Sequence, residues 1–147
     1  MSYDGVAEMA AITARLSTIA GGRIFEGVLD EETHARFVSD GGIKPYMTLY
    51  TSTPTPALKG QSLNGGDIDT PHNMLLTLVA YAGAAEDART TLAAADALLR
   101  DWAPATTATP LTGAGGFQAR TSDIRKKPTR FAVGTHWSTV INLGPGQ

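Results

Sequence analysis

No cysteine occurs among the 147 residues, which removes disulfide scaffolds, cysteine-based zinc sites, thiol nucleophiles and iron–sulfur clusters together. An excess of one charge is lacking as well. Twelve basic residues against fourteen acidic ones leave a formal charge of −2, too little for a general nucleic-acid coat or a polybasic membrane binder. No window approaches the ~18 uncharged apolar residues that a membrane span needs. Residues Met1 to Asp4 are polar, and Glu8 and Arg15 interrupt the apolar residues behind them, so the N-terminus does not carry the pattern of a secretory signal. The expectation is a soluble protein, intracellular when made. Large apolar side chains are also few. Apolar residues make up 42% of the chain, but 22 of them are alanine, which leaves 40 larger ones for a core. The interior must be thin and helix contacts close. A mass of 15.4 kDa is that of one ordinary domain, expected to span 1–147 with 144–147 as a flexible tail.

Spacing predicts the elements. Met9, Ile12, Leu16 and Ile19 recur at intervals of 3, 4 and 3, one face of a helix with Glu8, Thr13, Arg15 and Thr18 elsewhere. Asp4 is its expected N-cap and Gly21-Gly22 its stop. Residues 23–28 fit a strand, and 29–42 read as an acidic excursion with a helical turn over Thr33 to Val38. Tyr46, Thr48 and Tyr50 alternate with Met47, Leu49 and Thr51, as in a half-buried strand. Three prolines and three glycines between Thr51 and Pro71 predict a long loop or an open, extended hairpin. Asn73 to Tyr81 is the most apolar strand, expected to be central and covered on both sides. Ala88, Leu92, Ala95, Leu99 and Trp102, spaced 4, 3, 4 and 3, form the strongest helical stripe, and Pro104 should stop it. Ala105 to Gly116 reads as a connector. Two strands follow, Phe117 to Ile124 and Thr129 to Leu143, the second with Phe131, Val133, Thr135, Trp137, Thr139, Ile141 and Leu143 on one face. Helix, three strands, helix, two strands predicts an α+β fold. Its mainly antiparallel sheet of about five strands packs against two helices, with long inserted loops.

Chemistry-bearing motifs are scarce. His34, His72 and His136 form no metal-binding repeat. Asp67, Asp69 and His72 lie within six residues, but their spacing matches no common ligand set, and aspartates beside Gly and Pro usually bond their own backbone in turns. Gly113-Ala114-Gly115-Gly116 leads into a strand, whereas a phosphate loop leads into a helix. No serine stands in a Gly-x-Ser-x-Gly elbow. The expectation is no catalytic residue, metal or cofactor. Charge is the one asymmetric feature. From Gly116 to Phe131 five basic residues, Arg120, Arg125, Lys126, Lys127 and Arg130, face one acid, Asp123. That segment carries +4 and the remaining chain −6. A positive segment of this kind is a solvated hairpin tip or a contact for an acidic patch on a second copy or a partner, and nucleic acid is a weaker third reading because no aromatic is interleaved within the Arg125 to Arg130 run.

Three stretches taken together carry a resemblance. An N-terminal helix runs into Ile19-Ala20-Gly21-Gly22-Arg23-Ile24-Phe25. A Tyr46 to Thr51 strand precedes a long Pro/Gly loop, and an apolar strand leads into the Ala84 to Trp102 helix. With the closing strands around Arg125-Lys126-Lys127-Pro128, the pattern resembles the tail terminator (tail completion) proteins of long-tailed bacteriophages over nearly the whole chain. The resemblance implies a structural virion protein, not an enzyme. Such a subunit forms a homo-oligomeric ring, a hexamer, on the head-proximal end of the tail tube. It ends tube growth and joins the tail to the head-tail connector, after assembly in the host cytoplasm. Its implied partners are its own copies, the major tail tube protein and the head-closure protein, with DNA passing through the lumen without sequence-specific binding. On this reading Arg120, Arg125, Lys126, Lys127 and Arg130 contact a neighbouring subunit or tail ring. The loops carrying Asp30, Glu31, Glu32, Asp67 and Asp69 face lumen or partner. Two rivals stay open: a head-closure or adaptor subunit, and a small metal-dependent enzyme built on the 67–72 segment.

Overall fold

A computed structural model describes residues 5–27, 38–39, 42–52, 54–56, 70–121 and 131–143. It is an α+β fold: two helices, α1 (Val6–Arg15) and α2 (Ala85–Leu99), lie on one face of a mostly antiparallel sheet. The strands are β1 (Ile24–Glu26), β2 (Val38–Ser39), β3 (Gly42–Ile43), β4 (Tyr46–Thr51), β5 (Thr55–Pro56), β6 (Thr70–Ala82), β7 (Thr112–Thr121) and β8 (Phe131–Leu143). The main sheet runs β1-β4-β6-β8-β7, with β5 also on β6, and β2 and β3 form a separate hairpin. One pair, β1 with β4, is parallel. Among the described residues six strands, not three, therefore precede α2. The extra ones are two-residue pairings, too short to leave any alternation in the sequence. One of them, Val38–Ser39, falls at the end of the stretch expected to be a helical turn. Among the described residues no helix is long and apolar enough to cross a membrane.

The spine is the β6–β8 ladder, thirteen register pairs from Thr70 with Leu143 to Ala82 with Phe131. Period-2 alternation turns Met74, Leu76, Leu78, Ala80 and Ala82 toward the helices, and all five are fully buried. On β8 the same face holds Val133, Trp137, Thr139 and Ile141, also buried, as their alternation predicts. The opposite face is covered only in part. Tyr46, Thr48, Val79 and Ala132 are buried there, whereas Leu75 is 54% exposed and Tyr50 43% exposed. So β4 is buried at four successive positions instead of alternating, and β6 is central without being covered on both sides throughout.

Helix α2 meets the sheet through Ala88, Leu92, Ala95 and Leu99, the residues its spacing selects. It ends at Leu99, well before Pro104, because Arg100 is extended and Asp101 takes a left-handed φ of 57°. Trp102 then lies beyond the helix, partly buried against the core, with the Arg15 guanidinium 5.5 Å from its ring centroid. Arg15 Nε also donates to the Leu98 carbonyl at 3.0 Å, which satisfies an acceptor in the last turn of α2.

Two corrections concern glycine. The α1 N-cap is Gly5, not Asp4, which lies outside the described residues. Gly5 has φ 73°, and a Cβ there would come within 3.0 Å of the Pro54 ring, so the helix starts where the chain can cross Pro54 closely. Gly113 to Gly116 is not a free connector but the start of β7, with register shifts on either side of Gly116 and Phe117. A Cβ on Gly116 would lie 2.9 Å from the Gly134 carbonyl oxygen, so the glycine lets β7 close on β8. The preceding connector is tied down as well, since Thr109 N donates to the Val140 carbonyl and Thr139 Oγ1 to the Thr109 carbonyl.

Helix α1 is shorter than its stripe. Leu16 and Ile19 are buried as predicted, but they belong to a turn and to a 3-10 segment, Ile19–Gly22, in which Ala20 has φ 52° and ψ 35°. Glu8 is buried beside Met9 instead of lying on an outer face, in the first turn where the helix dipole favours a carboxylate. A left-handed alanine costs about 1–2 kcal/mol, of which the extra chain freedom of glycine returns about 0.4–1. Ala20→Gly is therefore expected to leave stability unchanged or raise it by up to about 1.5 kcal/mol. Urea denaturation checks this, and a clear loss would show that the Ala20 methyl contributes more to packing than its backbone costs.

Candidate functional site

Thr121 of β7 and Phe131 of β8, the described residues that flank the basic segment in the sequence, are register partners, so the two flanking strands meet at one point. Strand directions put that point at the end where β1 and β4 begin and β6 finishes. Tyr46 and Tyr81 stack there, with centroids 4.9 Å apart and planes at 10°. Arg23 Nε donates to the Pro45 carbonyl at 2.7 Å, and Lys44 is exposed. Glu86 and Asp87 open α2 at the same end. Arg120 belongs to β7 and pairs with Ala132. Its side chain lies outside the described residues, as do Asp30, Glu31, Glu32, Asp67, Asp69, Arg125, Lys126, Lys127 and Arg130.

At the other lateral edge, α1 and the β1–β4 pair leave a cleft of about 220 Å³, lined by Gly5, Val6, Met9, Ala10, Thr13, Glu26 and Thr51. Its construction follows from register. Glu26 pairs with Leu49, a core residue, so its side chain shares the helix face of the sheet, and Thr51 lies two residues further along β4 on that face. Val6, Met9, Ala10 and Thr13 are spaced 3, 1 and 3 on α1 and turn one side toward this edge. Val6 is 65% exposed. Thr13 Oγ1 donates to the Met9 carbonyl at 2.9 Å, which leaves the hydroxyl oxygen free to accept. The cleft thus has an apolar wall, a carboxylate and hydroxyls, and among the described residues no Lys, Arg or His lines it. Sequence reading missed it because three separate segments build it and no motif links them.

A second polar arrangement lies under α2. Trp137 Nε1 donates to Thr135 Oγ1 at 3.0 Å, and Thr135 Oγ1 donates to Asp96 Oδ1 at a longer 3.4 Å. Burial raises the Asp96 carboxyl above its ordinary range, while the Thr135 hydrogen bond and the Arg100 charge oppose the shift. A carboxyl whose folded-state pKa is raised contributes stability that is full below the unfolded pKa and is lost as pH rises through the folded one. Asp96→Asn is therefore expected to gain on the wild type between pH 3 and pH 7, with the larger relative stability at pH 7. Denaturant melts at both values check the sign, and a gain at pH 3 only would contradict it.

On the face away from the helices, His136 is exposed, as alternation predicts, and its Nδ1 lies 3.0 Å from Thr77 Oγ1. His72 is half-buried on β6, paired with Ile141 in the ladder. Among the described residues no three His, Cys, Asp or Glu side chains gather as a metal site would need. Against the models of known protein families and against the curated proteins, the chain gives no match.

Proposed function

We propose that the protein is a ring-forming structural subunit, and that its ring caps the head-proximal end of a phage tail tube and joins it to the head-tail connector. The observation that carries this reading is the sheet order. Its two lateral edges are unlike, a three-residue parallel strand on one side and a ten-residue bulged strand on the other. Unlike edges allow one edge of a copy to meet the different edge of its neighbour, a head-to-tail contact. Heterologous, head-to-tail contacts of that type close into rings when the rotation between copies allows it. The α+β fold is the one the resemblance implies. The +4 segment starts and ends beside one lateral edge, and carboxylates follow the strand at the other, with Glu26 in it and Asp30-Glu31-Glu32 soon after. Such complementarity would orient neighbours, and an acidic lumen would let DNA slide without adhering.

Native mass measurement followed by electron imaging with purified tail tubes tests the reading. A closed ring of about six copies that sits on tube ends and halts their growth is the expected result. A monomer at all concentrations, with no effect on tube length, would sink it. A ring that binds portal complexes and ignores tubes would move the protein to the head-closure role.

A further inference from the structure

We infer that the α1–β1 cleft is a socket for a basic side chain, and that its occupant is the Arg125 to Arg130 segment of a second copy of this chain. The inference rests on the ring reading above and adds the contact that would hold it together.

Size and lining define the guest. At about 220 Å³ the cleft falls below the roughly 300–1,000 Å³ typical of sites that enclose a small-molecule ligand. It fits one long side chain better than a substrate. Val6, Met9 and Ala10 form a wall against which the methylenes of a lysine or arginine can lie, as such stems do on apolar surface while the charged head seeks polar partners. The polar groups suit that head. Glu26 supplies an exposed carboxylate, and the Thr13 hydroxyl, whose proton is already given to the Met9 carbonyl, supplies an acceptor. A guanidinium or ammonium brings only donors, which is the complement. An acidic or neutral apolar guest would leave the Glu26 charge unanswered.

Placement selects the second copy. The cleft borders β1 and the basic segment joins β7 to β8, at opposite lateral limits of the order β1-β4-β6-β8-β7. Four strand spacings, about 19 Å, separate the two edges, and the cleft opens where β1 and β4 end whereas Thr121 and Phe131 meet where those strands begin, so the cleft and the strand ends flanking the basic segment stand at diagonally opposite corners of the sheet. Two complementary features on opposite sides of one subunit repeat around a ring, each copy giving its basic segment to the next and receiving one from the last. The charge balance agrees: the giving segment carries +4, and Asp30-Glu31-Glu32 follow Glu26 in the sequence.

The test is a charge swap read by native mass spectrometry on the full chain, with circular dichroism to confirm folding. Glu26→Lys alone, and Arg125→Glu with Lys126→Glu and Lys127→Glu, are each expected to lower the ring fraction at fixed concentration at least tenfold. Combining them should restore most of it. Ala10→Trp, at an exposed helix position, fills the cleft without altering charge and should also give monomers. Rings that form normally in both Glu26→Lys and Ala10→Trp would overturn the socket while leaving the ring reading intact. Dissociation of the single-site variants without rescue in the swap would overturn the pairing of these two segments. A wild-type chain that never assembles would overturn both readings.

Discussion

Trp137→Ala is expected to destabilise the protein by about 3–5 kcal/mol, the range for removing a buried tryptophan. The side chain is 5% exposed, stands opposite Leu76 in the ladder and belongs to the core between the sheet and the helices. Its loss removes three things together: ring contacts, apolar area withdrawn from water, and the Nε1 donor that Thr135 accepts. Trp137→Phe separates them. It keeps most of the contacts and removes the donor, so its cost should stay near the 1–3 kcal/mol of a buried acceptor left unsatisfied. Urea melts of both variants check the order, and a Trp137→Ala loss below about 1 kcal/mol would show that the neighbours close over the gap. For a chain of this length the alanine variant should melt on the order of 10 °C lower.

Enlarging the helix at its closest approach should cost less but still be clear. Ala95 is fully buried on α2, as is Ala88 two turns earlier, and the strand beneath presents Ala80 and Ala82. Small residues on both surfaces let the helix sit low on the sheet. Ala95→Leu puts three extra carbons into a close-packed layer, and overpacking of this sort typically costs about 1–3 kcal/mol. Exposed Ala93 is the control, because leucine there changes neither cavity nor contact and should stay within about 0.5 kcal/mol of wild type. Equal effects at the two positions would mean that the helix can lift off the sheet at little cost, against the thin interior that an alanine-rich composition implies.

Those two sites also show which parts of the fold were legible beforehand. The 4, 3, 4, 3 stripe of α2 and the alternation of β8 could be read because each element buries one face along most of its length, so burial leaves its period in the sequence. Where a segment is covered on both faces, as at Tyr46 to Leu49, alternation disappears. Where a pairing lasts two residues, as in β2, β3 and β5, no period can form. Gly113 to Gly116 misled because glycine marks loops and close backbone approach alike, and only the nearness of the Gly134 carbonyl decides between them. Ile19 kept helical spacing beyond the helix because the turn over Leu16 to Thr18, closed by the Ile19 N–H on the Leu16 carbonyl, still delivers it to the core. The Thr135 and Trp137 half of the polar chain under α2 was visible as two residues on one strand face, but its Asp96 end depends on the height at which the helix packs. For the candidate site, the basic segment was visible as charge alone. Its receiving cleft was not, since Val6, Glu26 and Thr51 come together only through the parallel β1–β4 pair and the placement of α1.

Strand order has one more consequence. Strand β8 follows β7 in the chain yet lies between β7 and β6. During synthesis β7 is therefore made before the strand that attaches it to the sheet, and the β6–α2 portion leaves the ribosome with one flank of its central strand unpaired. The pairing that completes it brings together residues about sixty positions apart, a non-local contact of the kind that slows folding to milliseconds or longer. Until β8 inserts, the longest edge of the sheet is exposed to other chains. A yield that falls as expression rate rises is the outcome expected of a spine whose second half is delivered late.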